Sequence, residues 1–231
     1  MPPWRAAASK AASAVNGRRG MAGVFPFTVR KTHTPALRSQ WTRRAAGGSI
    51  PGMDTQSPPH FSITTVNRLD DPSLRAGLEH LLTDAVASGA SVGFHAPLDP
   101  ARNAAFWDDV ASAIASGGLR LLVARDGAGR VIGAVQLALS PKQNSPHRAD
   151  VQKLLVLTDQ RGRGVATALM NALYDLARSL GRNLLELDTR AGDFGEPFYS
   201  RAGWERAGVL PGHTLEADGS FHDAVMFCRR L

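Results

Sequence analysis

Apolar residues recur along this chain with two alternating periods, and the pattern begins only at Phe61. Phe61-Ser62-Ile63-Thr64-Thr65-Val66 alternates and is rich in β-branched residues, which predicts a first strand. Asp71-Pro72-Ser73 has the composition of a helix start, and Leu74, Leu78, Leu81 or Leu82, and Val86 continue at helical spacing to Gly89. A second helix runs from Asp99-Pro100 through Phe106, Val110 and Ile114 to Gly117-Gly118. Apolar runs at 119–125 and 131–139 flank Asp126-Gly127-Ala128-Gly129, a hairpin pattern, and the polar link 141–146 leads to a strand at 150–157. Val165, Leu169, Leu173, Leu176 and Leu180 then draw one helical stripe that ends at Gly181. Residues 183–188 read as a strand, 195–202 as a short helix with Pro197 in its first turn, and 204–209 and 222–228 as two closing strands. The strands flanking the long helix can pair in parallel through a right-handed crossover, whereas the early hairpin is antiparallel. An α/β fold with a mixed sheet and helices on both faces follows.

Between strand and helix stands Asp159-Gln160-Arg161-Gly162-Arg163-Gly164-Val165-Ala166-Thr167. A helix start leaves N–H groups without intrahelical partners at the positive end of the helix dipole, so phosphate oxygens are favoured there. Gly162 and Gly164 let the main chain approach such a ligand, and Arg161 and Arg163 add charge. The plainer alternative is an exposed arginine turn joining core elements. No lysine sits where a P-loop needs one, and Thr167 stands where a dinucleotide-binding turn would have Gly or Ala.

Arg161, Gly164 and Ala166 match the Arg-x-x-Gly-x-Gly/Ala signature, so the turn resembles that of the GNAT superfamily of N-acetyltransferases. Phe198-Tyr199-Ser200-Arg201-Ala202-Gly203-Trp204 is similar to a second segment of that family, and the resemblance covers 61–231. Residues 147–154, 187–192 and Leu210-Pro211-Gly212 resemble the tabtoxin-resistance group within it. The resemblance implies a mostly antiparallel seven-stranded sheet with about four helices, acetyl-CoA as co-substrate, and transfer to a primary amine of a small molecule. That acceptor would be an amino-acid-like toxin or antibiotic. The cofactor would be held along Leu155, Val156 and Leu157 and by Arg161, Gly162, Arg163, Gly164, Val165, Ala166 and Thr167.

The same resemblance assigns Tyr199 as donor to the coenzyme A sulfur, and Asp150 and Asp188 as base or ammonium anchor. Related sequences often carry Glu at the place of Asp150, so the choice of base stays open. Period-two alternation puts Asp150 on a face with Gln152, Leu154 and Val156. Each of the three also has a structural alternative, a backbone-bonded strand end for the aspartates and an amphipathic core residue for Tyr199. No nucleophile adjoins a base, which favours direct transfer in a ternary complex.

Charge divides the chain. Residues 1–52 hold nine Lys/Arg and no acid, which leaves 18 basic against 20 acidic residues in the remainder. This extension reads as disordered, followed by a linker at 53–60 and the domain at 61–231. It could be a transit-like segment, a nucleic-acid-binding arm, or an artefact of a gene start truly at Met53. Two further functions therefore stand beside the enzyme, a non-catalytic acyl-CoA-binding module and a nucleic-acid-associated protein acting through the tail. No apolar run reaches the ~20 residues of a membrane span. Cys228 is the single cysteine and sits in an apolar run, so it reads as a core residue, and a reducing cytoplasmic location is expected. The seven histidines show no ligand spacing and imply no metal. A second copy of the chain remains an allowed partner.

Overall fold

The computed structural model describes residues 60–231, so the expectations for 1–52 and for most of the linker lie outside the described residues. The elements are β1 (Phe61–Val66), α1 (Pro72–Ala87), α2 (Pro100–Ala115), β2 (Leu119–Asp126), β3 (Val131–Leu139), β4 (Arg148–Val156), α3 (Val165–Ser179), β5 (Leu184–Arg190), α4 (Gly195–Arg201), β6 (Glu205–Leu215) and β7 (Phe221–Arg230). The seven strands form one sheet in the order β1-β2-β3-β4-β5-β7-β6, antiparallel except for β4 against β5. Both the element order and the mixed sheet are those expected from the pattern.

Local chemistry sets the helix ends. Asp71 and Asp99 cap α1 and α2 by accepting from the amides of Ser73 and Arg102, each at 2.9 Å, with Pro72 and Pro100 at the next position. Helices cover both faces of β2–β4. A Cβ at Gly77 of α1 would fall within 3 Å of Val131, whereas one at Gly133 would meet Val165 and Leu169 of α3. A register shift at Ala124/Arg125 turns Val131 and Gly133 to opposite faces, so α1 and α3 sandwich the sheet. Leu78, Leu81, Trp107, Leu121, Leu137, Leu169 and Leu173 are fully buried in the resulting core.

Three expectations need correction. The last crossing strands are longer than the pattern suggested, because β6 continues through Leu210-Pro211-Gly212 to Leu215. It is the edge strand, where proline forfeits no ladder bond, and a register shift between Leu210 and Thr214 absorbs the irregular residues. Cys228 is half-buried, not a core residue, since it lies in a row with Asp150 and Glu186 on a partly open face. The third concerns β4. Ala134 pairs with Leu155 but Gln136 with Gln152, so Lys153 and Leu154 together oppose Val135 in a β-bulge. The bulge shifts the alternation by one residue: Asp150 and Gln152 share a face with Leu155, while Leu154 and Val156 turn to the other.

The sheet also opens on the other side of β4. β4 and β5 pair only over Arg148–Asp150 with Leu184–Glu186, although both continue for several residues. Beyond Asp150 the two strands part and leave a wedge at the sheet's centre. Among the described residues no helix is long and apolar enough to cross a membrane.

Candidate active site

The wedge ends at the glycine turn. After β4 the chain makes a short 3-10 turn, Thr158–Gln160, and enters α3 through Gly164 at φ 81°. Gly162 is likewise left-handed at φ 76°, and a Cβ at either glycine would meet nothing within 4 Å. Unlike α1 and α2, α3 has no side-chain cap. Among the described residues, the amides of Gly162, Arg163, Gly164, Val165, Ala166 and Thr167 donate no backbone hydrogen bond outside regular elements. They are the free donors that a helix start offers an anion.

The turn is pinned from α1. Asp84 accepts from both the amide and the hydroxyl of Thr158 at 2.9 Å, and Arg161 reaches Ser88 Oγ at 2.7 Å and the Val156 carbonyl at 3.4 Å. Arg161 thus braces the loop, whereas Arg163 is exposed. Asp159, the one acid in the turn, is held by Arg130 at 3.1 Å; a hydrogen bond from Gln160, and then this one from Arg130, depress its pKa. Along the strand, Leu157 gives its N–H to Ile132 and its carbonyl to Gln160, so of the three expected strand residues it has no spare backbone group. Leu155 pairs with Ala134, and Val156 with Gly133.

Farther along the wedge the titratable groups gather. Asp150 occupies the last paired position of β4, opposite Glu186, which is itself bonded to Arg148. Burial and then the Glu186 carboxylate push the Asp150 pKa up, against a smaller pull from Arg148. Asp188, two residues beyond Glu186 on the same face of β5, is exposed and lies within electrostatic reach of Asp150, Lys153 and Tyr199. Tyr199 comes from the other side of the sheet, in an aromatic cluster with Trp204 (ring centroids 5.7 Å apart) and Phe227 (6.0 Å). Its hydroxyl has no hydrogen-bond partner among the described residues, and burial, then Tyr174 and Asp188, push the phenol well above its ordinary pKa. Acids therefore stand on one face of the wedge and a protonated phenol on the other. Beside Thr167 and Phe198 a cavity of about 130 Å³ also borders Asn171, Tyr174 and Arg229.

Residues 82–204 match the model of the Acetyltransferase (GNAT) family. The chain belongs to this family. It is an acetyltransferase of α/β architecture, and its relatives agree with that placement. An L-methionine sulfoximine/L-methionine sulfone acetyltransferase of Pseudomonas paraeruginosa is 29% identical over 137 residues, covering 58% of this chain and 77% of that protein. Among solved structures, a GCN5-related N-acetyltransferase from Kribbella flavida superposes with a TM-score of 0.61 at 18% identity, over 76% of this chain and all of that one. A Salmonella typhimurium protein solved with its cofactor acetyl-CoA gives 0.59 at 16%, over 74% and 94%. At such identities the structures speak for the GNAT fold alone.

Two residues beside the wedge escaped the sequence reading. Lys153 carries the bulge and is the single non-glycine residue with positive φ, 49°, among those described. Gln136, paired across from Gln152, is buried with Nε2 unpartnered. A lysine and two glutamines amid the apolar residues of central strands were the available signal, because polar groups seldom enter a core without a purpose. Among the described residues no cluster of His, Cys, Asp and Glu could hold a metal ion.

Proposed function

We propose that this enzyme transfers the acetyl group of acetyl-CoA to the primary amine of a small, amino-acid-like acceptor by direct attack in a ternary complex. The observation that carries the proposal is the wedge between β4 and β5, with free amides at one end and Asp150, Asp188 and Tyr199 around the other. The diphosphate would rest on Gly162, Arg163, Gly164, Val165, Ala166 and Thr167, the pantetheine arm would run along Leu155, Val156 and Leu157, and the thioester would lie in the gap. The donors fit an anionic carrier, since six successive main-chain N–H groups donate no backbone bond outside regular elements and the space beside Gly162 and Gly164 is open.

The reaction needs a neutral amine. A carboxylate at Asp150 or Asp188, directly or through one water, takes the ammonium proton; nitrogen then bonds to the acetyl carbon, the carbon–sulfur bond breaks, and the second proton of the attacking nitrogen passes through water to the departing thiolate, leaving amide and free thiol. Burial and the Glu186 carboxylate raise the Asp150 pKa, which makes it a better proton acceptor than a free aspartate. Tyr199 meets the departing thiolate from the opposite face. A phenol held this high is a weak acid toward a thiol titrating near ~8.5, so it stabilises sulfur by hydrogen bonding and keeps its proton. The P. paraeruginosa relative acts on methionine sulfoximine and sulfone, which supports an amino-acid analogue as acceptor here.

Incubating the protein with acetyl-CoA and a panel of amines, with free thiol and acetylated product both measured, tests the proposal. Stoichiometric release of thiol and N-acetyl product is expected; a calorimetric titration without acetyl-CoA binding would remove its basis.

A further inference from the structure

Lys153 is an expensive residue in an unusual place. It sits in the left-handed region, which favours glycine, at the bulge of β4 against β3, just beyond the point where β4 leaves β5. The bulge aims its side chain across the sheet face toward α2, where the ammonium lies 5.6 Å from the centroid of Phe106. A Cβ on Gly93, in the link between α1 and α2, would stand 3.8 Å from Nζ. The ammonium makes no hydrogen bond and no salt bridge with any described residue, and burial depresses its pKa, only partly offset by Asp188. The arginines of the region are engaged, Arg148 with Glu186 and Arg190 with Glu216 at 3.1 Å, while Lys142 acts on Asp150 without a salt bridge. Close by in the ladder, the Nε2 of Gln136 is a second buried donor without an acceptor.

Two donors with no acceptor, beside two carboxylates that no salt bridge engages among the described residues, describe a particular complement. An α-amino acid presents an ammonium and a carboxylate a few ångströms apart. We propose that Lys153, seconded by Gln136, binds the carboxylate of a zwitterionic acceptor while Asp150 and Asp188 receive its ammonium, so that the lysine selects amino acids over simple amines. This inference rests on the acceptor reading above and names the group that would enforce it. Lys153 positions the acceptor and takes no part in proton transfer. The strained bulge has a reason on this account: a regular strand would point the residue at position 153 elsewhere.

The test compares L-methionine sulfone with its carboxamide and with 3-(methylsulfonyl)propylamine, its decarboxylated counterpart, in wild type, Lys153→Met and Lys153→Arg. Ratios of variant to wild type for each acceptor cancel the differing reactivities of the amines. Wild type should favour the acid by at least about tenfold in kcat/KM. Lys153→Met should lower kcat/KM for the acid by about 10- to 100-fold, mainly through KM, change the two uncharged-end acceptors by less than about threefold, and leave the Kd of acetyl-CoA unaltered; Lys153→Arg should recover part of the KM. An equal loss on all three acceptors overturns the assignment and leaves the acetyltransferase reading standing. So does a wild type that prefers the decarboxylated amine, a result that needs no variant to fold. If amines without any carboxylate are acetylated and no amino acid is, the amino-acid reading and Lys153's role fall together; if acetyl-CoA itself does not bind, the site assignment fails first.

Discussion

Gly164→Ala separates the cost of strain from the cost of a blocked cradle. The residue has φ 81° and ψ 0°, so alanine there must adopt a left-handed conformation. That costs about 1–2 kcal/mol, against about 0.4–1 kcal/mol regained by restricting the unfolded chain. The added methyl meets no protein atom within 4 Å, so no packing clash enters. The net destabilisation is about 1 kcal/mol, or a fall of about 2–4 °C in Tm for a domain of this size. Affinity should suffer more. On the proposed binding mode the methyl enters space needed by the diphosphate, and forfeiting one charge-assisted bond at about 1.5–3 kcal/mol weakens acetyl-CoA binding by about 10- to 150-fold. Gly181, at φ 68° beyond the far end of α3 and also in open space, supplies the control. Gly181→Ala should show a similar Tm shift with unchanged affinity. Calorimetry and thermal unfolding on both variants read the two quantities independently. If Gly164→Ala binds acetyl-CoA within about twofold of Gly181→Ala, the turn is a connector and the cradle argument is wrong.

Tyr199→Phe should reduce kcat by about 100-fold with little change in the Kd of acetyl-CoA or in Tm, because its hydroxyl has no partner in the fold and acts on developing charge; a parallel loss of affinity and stability would assign it to packing. Asp150→Asn should slow turnover yet raise Tm at neutral pH. Burial and Glu186 lift the folded pKa above the unfolded value, so ionised Asp150 destabilises once the pH has risen through the raised folded pKa, and the penalty fades as pH falls toward the ordinary range near ~3.9. Solvent screening limits the gain to below about 1 kcal/mol, and a Tm difference between the two proteins that did not shrink in acid would contradict the assignment. Asp84→Ala frees Thr158 and should lower stability by about 1–2 kcal/mol while loosening acetyl-CoA binding several-fold, as thermal unfolding and calorimetry would show.

What could be read without coordinates was whatever the chain encodes locally. The stripe Val165–Leu180, the flanking strand and the glycine pair are all within one stretch, and each obeys its own periodicity, so α3 and its turn fall where expected. Helix starts at Asp71 and Asp99 were equally plain, because capping chemistry acts over two or three residues. The bulge at Lys153 was hidden, since a strand's alternation says nothing about where its neighbour's register slips. That slip moved Leu154 and Val156 off the Asp150 face and put a lysine at the mouth of the wedge. The parting of β4 from β5 is a contest between residues some thirty-five positions apart, beyond the reach of any local pattern. At the sheet edge, Pro211 and Gly212 looked like a loop because both break interior strands, but β6 has no neighbour on that side to object.

On the proposed binding mode, main-chain amides of the turn hold the diphosphate of acetyl-CoA. Amide chemical shifts recorded while titrating isotopically labelled protein with acetyl-CoA, and separately with S-acetylpantetheine, address it at the atoms concerned. Gly162, Gly164, Val165, Ala166 and Thr167 should move with the full coenzyme and stay near their free positions with the fragment that lacks phosphate. Equal responses to the two ligands, or silence at those amides while acetyl-CoA binds, would contradict it.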